Sequence, residues 1–124
     1  MPISQQDLQV LQSTINARLA AHHTAFRLSV HFSVDRVNDS RNNPAITIAE
    51  LDSIFTRLIG LHLGKLLSLN NGDTFNIRCL KTHINMPCAV RKQLVKGVTT
   101  QENIVITVMR KKHFVAKDAI EFHV

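Results

Sequence analysis

The chain has 124 residues, of which 44% are apolar and 19% charged; that suffices for one real core, leaves no room for a second, and argues against global disorder. Trp and Tyr are absent and Phe numbers six, which counts against a single-stranded nucleic-acid platform built on stacked aromatic rings. The formal charge of +6 arises wholly after residue 77: residues 1–77 carry six Lys/Arg and six Asp/Glu, whereas residues 78–124 carry nine and three. Such one-sided charge either attracts a polyanion or an acidic protein surface, or forms a solubilising face.

In chain order, Ser4 caps a first predicted helix, with Asp7 in its first turn and Leu8, Leu11, Ile15 and Leu19 at helical spacing, running to about Ala21. His22 and His23 fall at its end. Phe26, Leu28, Val30 and Phe32 alternate as a short extended entry, and from Ser29 the same letters also fit a helix through Val37. Asn38–Pro44 is turn chemistry. Thr47 and Glu50 form a capping box for a long helix carrying Leu51, Ile54, Phe55, Leu58, Ile59, Leu63, Leu66 and Leu67. That helix is the candidate core element, and its wide apolar surface would also serve a homodimer. Gly60 and Gly64 predict a notch for close packing. After Asn70–Asp73 the period changes to two: Phe75–Cys79, Cys88–Val90, Leu94–Val95 before a Lys96-Gly97 turn, and a last strand read from ITVMRKKHF, Ile106–Phe114. The expected fold is α+β in one domain, with N-terminal helices packed on a three- to four-stranded antiparallel sheet. Residues 1–23 would be an added helix, 24–70 the helical part and 74–124 the β-rich basic part.

Cys79 and Cys88 lie in apolar surroundings without a C-x-x-C pair; they read as reduced thiols, with a hairpin disulfide as the lesser alternative. No signal pattern opens the sequence and no apolar run reaches 18 residues, so the expectation is a cytoplasmic chain with no membrane partner. No HExxH, Cys/His cluster, calcium loop, GxxxxGK[ST], GxGxxG or GxSxG motif is present, and neither metal nor cofactor is expected.

The titratable and cationic groups suggest phosphate chemistry. His31 can exchange a proton near neutral pH, and Arg36 and Arg41 follow it in the same polar stretch. Arg110 and His113, with Thr107 before them, end the predicted last strand, where arginine can grip phosphate bidentately. Metal-free RNA cleavage needs a base, an acid and cations for the transition state, and His31, Arg36, Arg41, Thr107, Arg110 and His113 include these types. The alternative assigns His31 to helix packing and Arg110 to a charged strand end that blocks edge pairing. A binding surface alone would use Arg78, Lys81, Arg91, Lys92, Arg110, Lys111 and Lys112.

His31-Phe32, Asp35-Arg36, Arg41 and the Ile46–Leu51 run Ile-Thr-x-x-Glu-Leu, together with TVMRKKHF at 107–114, resemble small uncharacterised proteins of bacteriophages over about residues 26–114. More distantly, the chain resembles the barnase/EndoU/colicin/RelE-like nuclease superfamily, with helices ahead of a four-stranded antiparallel sheet. That resemblance implies a metal-independent ribonuclease in the host cytoplasm with His31, Arg36, Arg41 and Thr107 in its site. The expected partner is nucleic acid, RNA before DNA; the alternatives are a non-catalytic nucleic-acid binder and an effector that inhibits an acidic host protein.

Overall fold

The computed structural model describes residues 2–29 and 34–124. His31 lies outside the described residues, as do Val30, Phe32 and Ser33.

Helix α1 spans Gln5–Leu19 and begins as expected: Ser4 Oγ accepts from the Asp7 N–H, and the Asp7 carboxylate accepts from the Ser4 N–H. Leu8, Leu11, Ile15 and Leu19 are buried. A 3₁₀ turn and left-handed His23 (φ 54°) reverse the chain into strand β1, Thr24–Leu28. This strand lies at the sheet edge, where free backbone groups invite aggregation. Helix α1 covers them. The Asn16 side chain donates to the Phe26 carbonyl and accepts from the Phe26 N–H, and Gln12 Oε1 accepts from the Leu28 N–H. Helix α1 is therefore part of the core, and the supposed helical part begins with a strand.

Short helix α2, Val34–Val37, buries Val37 and leads into the expected turn. Helix α3, Ile48–Leu67, starts at the Thr47/Glu50 capping box. Its Leu51, Ile54, Phe55, Leu58 and Leu66 pack on the sheet, and Phe55 meets Phe26 edge-on at 5.1 Å between ring centres. The expected notch is absent: a Cβ on Gly60 or Gly64 would meet nothing within 4 Å. Both lie on the exposed side of α3.

Five further strands follow: β2 (Thr74–Arg78), β3 (Ile84–Val95), β4 (Val98–Val105), β5 (Met109–Arg110) and β6 (Ile120–His123). The sheet order is β1-β4-β3-β2-β6, with β5 also pairing β3. The sheet is mixed, because both edges are parallel: β1 with β4, and β6 with β2. Local turn signals predict only the antiparallel neighbours. The edge strands come from distant parts of the chain, and a distant parallel partner leaves no turn signature.

The predicted last strand is broken. Cys88 pairs Val105 and Asn85 pairs Met109, so Met86 and Pro87 face three residues, Ile106, Thr107 and Val108. This is a β-bulge, and Pro87 explains it. Pro87 accepts from the Ile106 N–H at 2.8 Å but has no N–H to return; Ser29 Oγ meets the Ile106 carbonyl instead. Beyond Arg110 the chain leaves the ladder until β6.

Register also separates the two faces. Phe75 and Ile77 point into the core, whereas Asn76 and Arg78 point to the side away from α3, level with Glu121 and His123. There Arg78 donates to Glu121 at 2.8 Å and to the Phe114 carbonyl at 2.8 Å, and Asn85 donates to the Lys111 carbonyl. These bonds strap the 111–119 segment across the sheet. Both cysteines are free, and Cys88 faces Phe75 rather than Cys79. No helix among the described residues is long and apolar enough to cross a membrane.

Candidate functional site: a cationic cleft beside the bulge

Polar residues dominate the 38–44 turn because they must close a helix and a sheet together. Buried Asn42 donates to the Arg36 and Val37 carbonyls at the end of α2, at 3.1 and 3.3 Å, while its oxygen accepts from the Arg110 N–H at 2.9 Å. One side chain thus fastens the turn to β5. Asn38 holds the other side, exchanging two hydrogen bonds with the Ile3 backbone.

Arg110 completes this corner from beneath. Its guanidinium donates to the carbonyls of Pro44 (2.7 Å), Ala45 (3.1 Å) and Thr82 (2.8 Å) and to Glu50 Oε1 (2.8 Å), and its side chain is 8% exposed. These contacts occupy most of the five N–H donors of arginine. Burial alone would raise the Glu50 carboxyl, but the Arg110 bond and the Thr47 N–H outweigh it and hold the group below its ordinary value. Arg110 is therefore an internal staple joining the turn, the α3 capping box and the β2–β3 loop.

Between the fastened turn and the bulge lies a cleft of about 590 Å³. Arg36, Asp39, Arg41 and Asn42 form one wall, and Ile106 to Lys111 form the other. Arg36 is exposed and enters no ion pair among the described residues. Arg41 grips Asp39 through two side-chain bonds, 3.1 and 2.9 Å, and its backbone N–H, yet its side chain remains 79% exposed. Those bonds hold the Asp39 carboxyl down to about 2. It is a fixed acceptor at physiological pH and no proton shuttle.

Of the six residues read as catalytic, Arg36, Arg41, Thr107 and Arg110 line this one cleft. His113 is exposed on the 111–119 segment and is absent from the lining; His31 falls outside the described residues. The broader cationic set divides as well. Arg78 is bound to Glu121 and stacks near the Phe114 ring, and Lys92 Nζ donates to the Leu67 carbonyl at the end of α3. Lys81, Arg91, Lys111 and Lys112 are exposed, but only Lys111 reaches the cleft. Sequence reasoning placed Asn42 and Asp39 in the Asn38–Pro44 turn and gave neither a role in the site. The Asn42-Asn43-Pro44 run carried a signal for Asn42, since Asn before a proline turn commonly bonds nearby backbone.

One further polar spot lies on the core side. Arg57 Nη2 approaches the buried Cys79 Sγ at 3.6 Å. Burial raises that thiol, while the nearby Thr82 and Arg57 donors lower it more; burial pushes Cys88 well up.

No protein-family model, curated protein or solved structure matches this chain.

Proposed function

We propose that this chain binds the phosphate backbone of nucleic acid, RNA in preference to DNA, in the cleft between α2 and the β4–β5 bulge. The observation that carries this reading is the presence of exposed cations in both segments that line the cleft of about 590 Å³, Arg36 and Arg41 in one and Lys111 in the other. Several cations around one cleft focus a positive potential where a single cation would be screened. Asp39 favours RNA. An ionised carboxylate among phosphate-binding groups repels a phosphate but accepts a hydrogen bond from a 2′-hydroxyl, which DNA lacks.

Strand cleavage is a separate step. Asp39, its carboxyl held down to about 2, does not exchange a proton near neutrality, so a metal-independent ribonuclease reaction rests on His31. The test is fluorescence anisotropy with matched single-stranded RNA and DNA across a salt series, plus a cleavage assay in EDTA. RNA should bind more tightly, with affinity falling steeply as salt rises. Arg36→Ala and Arg41→Ala should each weaken binding and flatten the salt slope by roughly 0.7. Equal binding by both variants and the parent would end this reading. EDTA-resistant cleavage that disappears in His31→Ala, with binding kept, would add catalysis to it.

A further inference from the structure

The bulge leaves backbone donors unused. The Ile106 N–H bonds Pro87, and the Arg110 N–H bonds Asn42. Between them, the N–H groups of Thr107 and Val108 make no hydrogen bond among the described residues, and neither does the Thr107 hydroxyl. Buried backbone N–H groups without partners are rare in folded proteins and usually have an explanation, and Val108 is 3% exposed. Here both residues line the cationic cleft together with Arg36 and Arg41, four or fewer residues from Lys111. Free backbone N–H groups close to cations can donate to the oxygens of an anion.

Building on the phosphate-binding reading above, we propose that the bulge is the seat for one phosphate group. Its non-bridging oxygens accept from the Thr107 and Val108 N–H groups and from Thr107 Oγ1, while Arg36 and Lys111 neutralise its charge. Arg110 takes no direct part. Its donors go to Pro44, Ala45, Thr82 and Glu50, and its task is to hold the opposite wall in place. Pro87 creates the seat by denying the ladder one donor: with an N–H there, the strand would pair straight through and Thr107 would return to the sheet.

The ligand chemistry is a phosphate oxygen cluster, with two sources: an internal phosphodiester of RNA or free inorganic phosphate. Amide NMR on the full chain separates them, with one arm titrated with inorganic phosphate and another with a short RNA ending in a 5′-hydroxyl. In both arms the Thr107 and Val108 amide signals should move along one saturation curve. Thr107→Val, which keeps the N–H and removes the hydroxyl, should weaken phosphate binding about 10- to 150-fold, as expected for one lost hydrogen bond to a charged group. Should RNA bind, with Arg36→Ala weakening it, while these two amides stay still, the seat is wrong and the RNA reading survives. Movement with phosphate but no RNA binding would keep the seat and remove the RNA reading. Silence in both arms would remove both.

Discussion

Arg110 and Arg36 line the same cleft yet have opposite fates. Arg110 is 8% exposed and held by three carbonyls and a carboxylate; Arg36 is exposed and enters no ion pair among the described residues. The same division runs through the whole basic half, where Arg78 and Lys92 are tied to internal acceptors while Lys111 and Lys112 face solvent. Net charge therefore overstates what is offered to a partner. A cation whose donors are already satisfied stabilises the fold, and a cation without partners is available to a ligand.

The largest expected effect comes from breaking the staple. Arg110→Ala would strand the Glu50 carboxylate and three carbonyls, and a loss of about 3 kcal/mol in urea unfolding is expected. That is the low end for a buried pair, because Glu50 keeps 25% of its side chain exposed. Arg110→Lys should recover little, since an ammonium cannot reproduce the fork. Arg36→Ala should leave stability within about 0.5 kcal/mol of the parent while weakening RNA binding. A destabilised Arg36 variant and an intact Arg110 variant would reverse the assignment of the two.

A second, smaller effect concerns the Arg78 staple. The Arg78 hydrogen bond is the main reason the Glu121 carboxyl falls from 4.5 to about 2; burial opposes it, and Asn76 and His123 assist. A depressed carboxyl stabilises the fold above its unfolded pKa, and that contribution is lost as pH falls through the folded value. The urea midpoint should hold near neutrality and decline from about pH 5 to pH 2. Glu121→Gln should remove part of that decline, and an unchanged slope would show that the pair contributes nothing.

The smallest effect comes from the side of α3 that faces neither staple nor cleft. Gly60→Ala and Gly64→Ala enter open space in a helix interior and should each stabilise by about 0.5–1 kcal/mol. A loss instead, read by the same unfolding curves, would mean that this face is covered in solution.

The starts of α1 and α3 were legible because a capping box is a local device: Ser4 with Asp7 and Thr47 with Glu50 need only four consecutive residues. The buried stripe of α1 and the 38–44 turn were legible for the same reason. The last strand was misread because Ile104–Val108 is β-branched without interruption, and the break comes from Pro87 on the neighbouring strand. Gly60 and Gly64 misled because their spacing resembles a packing motif while nothing packs there. The candidate site was half legible. Its residue types stand in the sequence, but which arginine is an internal staple depends on carbonyls 60 or more residues away for Pro44 and Ala45, and 28 away for Thr82.

By itself the sequence determined the starts of α1 and α3, the class of the fold and the bias of charge toward its second half, since each follows from neighbours within a few positions or from simple counting. Tertiary structure alone decided the parallel edges, the bulge and the split between occupied and available cations. Those depend on which distant backbone groups find a partner, and hydrogen-bond satisfaction is a property of the folded chain as a whole.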